Sequence, residues 1–426
     1  MFRLENAQSL VGIALTLLVC WLVSEDRKRF PWRLALGALA VQVGLILLLF
    51  GLPAARGVVK AISDAVDGLG AATAHGTQFV FGYLGGGPQP YPVENPAAQF
   101  VFAFQVLPLI LVISALSALL WHWGILKWII RGFGFLFSKT MGMGGASATA
   151  TAANIFVGMV ETPIIIRAYL DKLTRSELFM MMVVGLATVA GSTMVAYATV
   201  LKSVLPNAAA HVLVASVVSA PAGVLLARLI VPEKSGEGGV SVDYTSLLKY
   251  DSAIDAISKG VSDGLMVVLN ISAILIVFVA LVAIGNELLS LLPAIGGQPV
   301  TIERILGVAF SPLAWSLGVD WSEAGKAGYL LGVKLMLTEF IGFIQLGAIP
   351  ADQMSERTRM IMTYALCGFA NVGSVGITVS GMGVLMPERR GEIIGMVWKA
   401  LLAGFLATCM TAAVVGAMPR ELFGIQ

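Results

Sequence analysis

Uncharged apolar runs long enough to cross a lipid bilayer recur from one end of this chain to the other, and they constrain its fold more than any other feature. A membrane-spanning helix needs about 20 predominantly apolar residues. Runs of that kind lie at about 8–23, 33–52, 97–120, 177–201, 207–231, 264–289, 357–380 and 393–417. Only 12% of the residues are charged, against about 25% in a soluble domain. The sequence therefore predicts an all-α polytopic membrane protein with about eight transmembrane helices in the lipid bilayer.

The polar residues exclude several classes of function. A net charge of +2 is too small for the clustered basic face that nucleic-acid binding needs, so no nucleic-acid partner is expected. Cys20, Cys367 and Cys409 sit inside apolar runs without C-x-x-C spacing, which argues against a zinc site or a disulfide framework. No cofactor is therefore expected. An intramembrane hydrolase needs a nucleophile and a base in one cavity, and no G-x-S-x-G motif accompanies His211, so we predict that the chain is not an enzyme.

Two stretches between the apolar runs predict helices that lie in the membrane interface. In residues 58–84, apolar side chains recur at helical intervals with charged residues between them. The polar insert 232–260 combines several glycines with an amphipathic run at 244–258. This insert predicts a flexible turn followed by a surface helix.

Basic residues predict the orientation of the chain. Most of them follow the first, third, fifth and seventh apolar runs, and basic residues in short loops mark the cytoplasmic side. Both chain ends would then lie outside, in a multi-pass protein of the bacterial inner (cytoplasmic) membrane.

Residues 141–170 and 312–349 are too long and too interrupted for one straight helix, but each has the length of a helical hairpin that enters the membrane partway and returns. Each is followed by a helix whose apolar run is broken by polar residues and glycines. The breaks, at 185–191 and 368–374, align without a gap as G-[LF]-A-[TN]-V-[AG]-[GS]. Because the basic residues place the hairpins on opposite faces, we predict two opposed re-entrant hairpins in an inverted repeat.

This pattern divides the chain into four parts. Residues 1–140 would form scaffold helices with interfacial helices, 141–232 the first transport repeat, 233–311 a cytoplasmic insert with a scaffold helix and an interfacial helix, and 312–426 the second transport repeat. Broken helices are tolerated at membrane depth only where their backbone is buried in protein or lines a cavity. Since inverted repeats with broken helices form the central site of many transporters, we expect a transporter; a channel for small polar solutes is the alternative.

Two carboxylates fall within the hairpins, Glu161 in the first and Glu339 in the second. A carboxylate at membrane depth costs about 2.5–3.5 kcal/mol, so each needs polar partners, and we expect both to bind a neutral, hydroxyl-rich ligand. Asn371 and Ser374, three residues apart on one helical face, would reach the same ligand. The alternatives are structural: a carboxylate pinned to its hairpin or to Lys334, and capping of the helix break by the Asn371 and Ser374 pair.

Several separated motifs resemble those of the concentrative nucleoside transporter family. Residues 158–163, Gly-Met-Val-Glu-Thr-Pro, are similar to its G-Q-T-E-[AS]-P hairpin motif. Residues 332–340 are similar to its [GA]-x-K-x-x-x-N-E-F motif, and residues 368–371, Gly-Phe-Ala-Asn, match as well. The resemblance covers about residues 95–417, with its motifs in the family's order.

The resemblance implies symport of nucleosides into the cell with a cation, sodium being favoured and a proton the alternative, by elevator-like movement in a homotrimer. The residues of the first hairpin tip would contact the nucleobase: Gly158, Met159, Val160 and Glu161. Residues of the second repeat would surround the ribose: Glu339, Phe369, Asn371 and Ser374. Oxygen atoms suit a small hard cation, and four positions match the family's sodium site: Asn154, Val157, Thr188 and Val189.

Two departures from the family pattern concern base recognition. Met159 and Val160 stand where the family has Gln-Thr, and Thr338 stands where it has Asn. A lost polar contact removes much of the penalty for a wrong base. We therefore expect purine nucleosides to be accepted as readily as pyrimidine nucleosides.

Overall fold

The computed structural model describes residues 4–28, 30–92, 101–159, 161–233 and 249–423, which are helical and contain no named strand. The α-helices of these ranges are α1 (Leu4–Leu22), α2 (Trp32–Ile46), α3 (Pro53–Phe81), α4 (Phe102–Gln105), α5 (Pro108–His122), α6 (Ile125–Met141), α7 (Gly145–Phe156), α8 (Glu161–Ile165), α9 (Arg175–Ala187), α10 (Gly191–Leu201), α11 (Ala208–Ile230), α12 (Ala253–Leu289), α13 (Ile302–Ser316), α14 (Trp321–Met336), α15 (Glu339–Ala348), α16 (Glu356–Leu366), α17 (Val372–Leu385) and α18 (Arg390–Gly416).

Where the structure describes the chain, each of the eight predicted apolar runs falls on helices, which confirms the all-α membrane fold. Within the described residues, five segments are long and apolar enough to cross a membrane alone: Trp32–Gly51, Phe102–His122, Ala208–Ile230, Ala253–Leu289 and Pro387–Gly416. The remaining runs are α1, which is shorter, and the pairs α9–α10 and α16–α17, which are interrupted. Only five of the eight runs qualify because breaks divide two of the others and α1 is too short.

The predicted interfacial helix at 58–84 is α3, which begins earlier, at Pro53, and is not among the candidate spans. Val66 and Leu69 on α3 pack against Leu109 and Ile113 of α5 and Val195 of α10. At Val66 and Leu69, the apolar side chains of α3 therefore pack against other helices of the protein.

Two predicted boundaries are wrong. The second hairpin starts at Trp321 rather than at residue 312, because α13 continues through Pro312 to Ser316 and ends in a turn at Gly318 (φ +104°); prolines are tolerated inside membrane helices. Residues 253–258 of the predicted surface helix belong instead to α12, which Ser252 caps, while residues 234–248 lie outside the described ranges.

The order of elements repeats. In each half a hairpin (α7–α8 or α14–α15) is followed by a broken helix (α9–α10 or α16–α17) and a long helix (α11 or α18). The aligned glycine strings do not occupy equivalent places, however: Gly185 lies inside α9, whereas Gly368 lies in the break after α16. Both strings are rich in small residues. Because of this shared composition they align in the sequence, although they do not occupy equivalent positions in the fold.

The two long helices form the centre of the molecule. Both α11 and α18 are buried along most of their length and pack against each other. Ser219 on α11 donates a hydrogen bond to Thr411 on α18, with 3.1 Å between the hydroxyl oxygens. By contrast, α12 presents many apolar side chains outward, including Leu269, Ile276 and Leu281, and packs along α5.

Helices α13 and α14 form a pair bent by 114° whose contact depends on glycine. A Cβ at Gly328 would lie 2.7 Å from the carbonyl oxygen of Gly307 and 2.7 Å from the amide nitrogen of Ser311. Real Cβ atoms do not approach backbone so closely, so any side chain at 328 must separate the helices.

We expect Gly328→Ala to destabilise the purified protein by about 1–3 kcal/mol through overpacking, measured as a lower thermal unfolding temperature in detergent. Gly325→Ala in the same helix is the matched control, because a Cβ there meets nothing within 4 Å and alanine favours helix by about 0.5–1 kcal/mol. Equal unfolding temperatures for the two variants would contradict the contact.

Candidate functional site

Glu339 lies at the first residue of α15 and is only 5% exposed. Tyr197 on α10 donates its hydroxyl to Oε1 of Glu339 at 2.9 Å, and Asn371 donates Nδ2 to Oε2 at 2.9 Å. Because an ionised carboxylate has about four acceptor positions, these two side chains and the residue's own backbone amide leave some capacity for a hydroxyl group of a ligand. The first repeat supplies Tyr197 and the second supplies Glu339 and Asn371, so the carboxylate stands where the repeats meet.

Asn371 performs two tasks. Its Oδ1 accepts a hydrogen bond from the amide of Ser374 at 2.9 Å and so caps α17, while its Nδ2 contacts Glu339. The capping alternative considered from the sequence is therefore observed for Asn371, and it fixes the side chain that reaches the carboxylate. Ser374 is buried beside it.

The two helix breaks contact each other. The amide of Phe369 donates to the carbonyl oxygen of Thr188 at 3.3 Å, and Phe369 itself is half-buried. A Cβ at Gly368 would lie 2.9 Å from the carbonyl oxygen of Ala187 and 2.6 Å from Cγ2 of Thr408. Glycine at 368 therefore permits this close approach of the breaks.

Glu161 is the first residue of α8, directly after the first hairpin tip, and is half-buried. Gly158 has a φ of +111°, and a Cβ there would lie 3.0 Å from Oε2 of Glu161 and 3.1 Å from Cβ of Ala190. Met159 packs on Gly185, where a Cβ would lie 2.8 Å from that of Met159. Helix α8 also contacts α17, which Asn371 caps. Val160 lies outside the described residues.

Tyr250, in the segment before α12, is a neighbour of Glu161 that the sequence did not indicate. Burial, and then the negative charges of Asp263, Glu161 and Asp255, raise the pKa of Tyr250 above its ordinary value. The sequence assigned this segment to a surface insert, and only the folded chain brings its aromatic ring near the first hairpin.

The predicted cation ligands gather where α7 ends and the first break begins. Asn154 is 1% exposed, and its Oδ1 has no hydrogen-bond partner in the part of the chain that the structure describes. The hydroxyl oxygen of Thr188 lies 3.1 Å from the carbonyl oxygen of Asn154. Val157 caps α7, and Val189 lies in the break with its amide 3.2 Å from the hydroxyl of Ser216 on α11.

These residues fit a small hard cation. A buried acceptor without a donor costs about 1–3 kcal/mol, and oxygen donors without thiolate or imidazole suit sodium better than a transition metal. Correspondingly, no group of three or more His, Cys, Asp or Glu side chains in the described ranges is placed to hold a metal ion. Ser216 was missed in the sequence because it lies in an uninterrupted apolar run.

Lys334 is not a partner of Glu339. Its ammonium donates to the carbonyl oxygen of Ala365 at 2.7 Å and to the hydroxyl of Thr408. Lys334 therefore does not hold Glu339 by a hydrogen bond, and the side-chain donors of the carboxylate are Tyr197 and Asn371.

Three family models match the chain. Residues 211–416 match the Na+ dependent nucleoside transporter C-terminus, residues 11–84 its N-terminus, and residues 103–204 a nucleoside recognition (Gate) model.

Curated proteins similar to the chain include the nucleoside permease NupC of Helicobacter pylori, 35% identical over 416 residues, covering 96% of each chain. The sodium/nucleoside cotransporter 1 of Rattus norvegicus is 31% identical, covering 97% of this chain and 64% of its own length. Among solved structures, CNTnw in an inward-facing substrate-bound state has a TM-score of 0.86 at 35% identity, covering 97% of both chains. A variant of CNTnw in an outward-facing state has a TM-score of 0.89 at 34% identity, covering 100% of both.

We expect Tyr197→Phe to weaken binding of uridine to the purified protein about tenfold, because Glu339 loses one of the two donors that orient it. Tyr364→Phe is the matched control: that tyrosine is also buried, and its hydroxyl bonds to His211 rather than to the site. Calorimetric titration should show unchanged affinity for the control, and an unchanged affinity for Tyr197→Phe would contradict the assigned role.

Proposed function

Because the chain belongs to the Na+-dependent, concentrative nucleoside transporter family, we propose that it is a secondary active transporter that brings nucleosides into the cell in symport with sodium. The observation that carries this proposal is the buried Glu339 carboxylate, which is held by Tyr197 and Asn371 from the two repeats and retains acceptor capacity. The function is transport, and no chemical reaction is assigned.

The ribose would be bound by Glu339 together with Asn371, Ser374 and Phe369. Two vicinal hydroxyls can share one carboxylate, and a ligand without charge avoids a further desolvation cost inside the membrane. Phe369 offers an apolar ring next to this polar group. A hydroxyl-rich, partly aromatic solute such as a nucleoside fits that combination.

The nucleobase would lie against the first hairpin tip, formed by Gly158, Met159, Val160 and Glu161. The Glu161 carboxylate is the polar group of this tip, while Met159 is apolar where the family motif that residues 158–163 resemble has a glutamine. Contacts between α8 and α17 support a common site for base and ribose.

Sodium is the coupling ion favoured by the unpartnered oxygen of Asn154. Thr188, Val157 and Val189 would complete the ion's oxygen shell, together with Ser216. The neutral acceptor oxygen of an amide can bind a cation, whereas the group that carries a proton in a proton-coupled transporter would be a carboxylate. A proton-coupled symporter, with Glu161 or Glu339 as carrier, is the second candidate, because both carboxylates lie within the hairpins.

Movement would follow the division of the chain read from the sequence. The transport region would be residues 141–232 and 321–426, since the second hairpin starts at Trp321, and the scaffold residues 1–140 and 233–320. We propose an elevator-like movement of the first against the second, in a homotrimer in the bacterial inner membrane. The outward apolar face of α12 supports a scaffold role, since it suits lipid or another subunit.

In proteoliposomes with separately imposed gradients, we expect an inward sodium gradient to drive uridine accumulation and a pH gradient alone to drive none. Asn154→Ala should raise the half-saturating sodium concentration about tenfold or more, because the ion loses one ligand. Asn286→Ala is the control, since that amide bonds to Glu303 between α12 and α13. Acid-driven, sodium-insensitive uptake would refute sodium coupling.

Competition for labelled uridine uptake tests the apolar base site. We expect adenosine and inosine to compete as well as cytidine does, because Met159 provides no hydrogen bond that rejects a wrong base. Met159→Gln should narrow this range by restoring a polar side chain. Competition by pyrimidine nucleosides alone in the unmodified protein would contradict the expectation.

A further inference from the structure

Helices α2 and α6 border a groove that the site described above does not use. A Cβ at Gly37 of α2 would lie 3.8 Å from the carbonyl oxygen of Thr140 near the end of α6, so the two helices meet there. Further along α2, Leu48 lines the same cavity as Ile129 near the start of α6. The two helices therefore run in opposite directions on either side of the groove.

The cavity at one end of the groove is apolar. It has a volume of about 250 Å³ and lies between α2, α6, α7 and α11. Its lining includes Leu45 and Leu48 of α2, Ile129 and Phe133 of α6, and Leu213 of α11. Leu48 is also 51% exposed, so the cavity opens to the outer surface of the molecule. Because an apolar cavity excludes water and the bilayer supplies hydrocarbon, an acyl chain suits this space.

The other end of the groove is basic. Arg33, one turn before Gly37 on α2, and Lys139, beside Thr140 on α6, are both exposed. Neither forms an ion pair within the described part of the chain. Exposed aromatic rings accompany these two residues. Trp32 is 69% exposed, and the ammonium of Lys139 lies 5.8 Å from the ring centre of Phe135. Aromatic and basic side chains together are typical of the headgroup region of a membrane.

The distance between the two ends fits one phospholipid. Gly37 and Leu48 are 11 residues apart, which corresponds to about 16 Å along a helix. One leaflet of the hydrocarbon core is about 15 Å thick, half of the whole core. A lipid whose headgroup lies near Arg33 and Lys139 would therefore place the end of an acyl chain in the cavity.

Charge selects the kind of lipid. Two cations at the headgroup end favour an anionic headgroup, and no carboxylate competes for them in residues 95–160, which contain neither aspartate nor glutamate. Both cations follow apolar runs whose basic ends mark the cytoplasmic side, and the surface of that leaflet is negative. A free phosphate or an acidic protein would neutralise the cations but would leave the apolar cavity unfilled.

The cavity also contacts the first hairpin. Phe156, the last residue of α7, lines the cavity, and its ring centre lies 5.5 Å from that of Phe133 on α6. Gly158 of the hairpin tip follows two residues later. An acyl chain in the cavity would therefore pack against the end of the helix that leads to the tip.

We propose that the groove between α2 and α6 binds an anionic phospholipid of the cytoplasmic leaflet, with its headgroup at Arg33 and Lys139 and an acyl chain in the cavity, and that this lipid steadies the first hairpin during transport. The lipid is a structural partner and is not transported. Its binding is independent of the proposed function, whereas its effect on uptake rests on that function.

Binding is tested by native mass spectrometry of the delipidated protein in detergent, titrated with phosphatidylglycerol or phosphatidylcholine. We expect the wild type to prefer phosphatidylglycerol. Arg33→Gln combined with Lys139→Gln should weaken binding of phosphatidylglycerol about tenfold or more, because both cations at the headgroup are lost. Glycerol phosphate, which has the headgroup without the chains, should not displace the lipid.

Two further variants separate the headgroup from the chain. Lys202→Gln combined with Lys326→Gln removes two exposed cations elsewhere and should leave the affinity for phosphatidylglycerol unchanged. Ala210→Leu adds a larger side chain to the cavity lining and should weaken binding of both lipids. Equal affinity of the wild type for the two lipids would overturn the inference, as would wild-type affinity in the Arg33 and Lys139 double variant.

Uptake of uridine into proteoliposomes tests the effect on the hairpin. Adding phosphatidylglycerol to phosphatidylcholine membranes should speed sodium-driven uptake by the wild type and by the control variant, and this stimulation should be lost in the Arg33 and Lys139 double variant. Stimulation that persists in the double variant, or uptake by the wild type that does not respond to phosphatidylglycerol, would overturn the role in transport. Absence of sodium-driven uptake in every lipid would instead refute the proposed function, and the binding measurements would still decide whether the lipid site exists.

Discussion

The fold depends on one constraint: inside a bilayer, a backbone amide or carbonyl that leaves a helix must find its partner within the protein. This chain interrupts two membrane helices, and the structure shows how the freed groups are satisfied. The amide of Phe369 in one break bonds to the carbonyl of Thr188 in the other, and Ser216 bonds to the backbone of Val189. The breaks can exist because one break and the central helix α11 supply partners for the freed backbone groups, and polar side chains concentrate there.

Charged side chains follow the same rule at higher cost. Glu339 accepts from Tyr197 and Asn371, and Lys334 donates to a carbonyl and a hydroxyl, so both charges are placed among dipoles rather than in lipid. A buried charge with one missing partner is strongly destabilising. The surroundings of these residues are consequently as important to the site as the charged groups themselves.

The sequence predicted the architecture because it leaves local signals, and the candidate site residues were chosen from signals of the same kind. Apolar runs of spanning length and carboxylates within such runs are visible along the chain, and Glu161 and Glu339 both begin the helix that follows a hairpin tip. Tyr197 was missed because it lies 142 residues from Glu339 in an ordinary apolar run, and no local pattern marks a contact of that range. The glycine strings were aligned out of register for a related reason, since composition shows that a helix breaks but not at which residue it ends.

The hydrogen bond between Ser219 and Thr411 has a mechanical consequence. It joins the buried helices α11 and α18 where they cross, and each helix carries, one turn away, a hydroxyl that bonds within its own repeat: Ser216 with Val189 and Thr408 with Lys334. Because the two helices also pack along each other, a force on one repeat is transmitted directly to the other. The two repeats are thus coupled mechanically through the centre of the molecule.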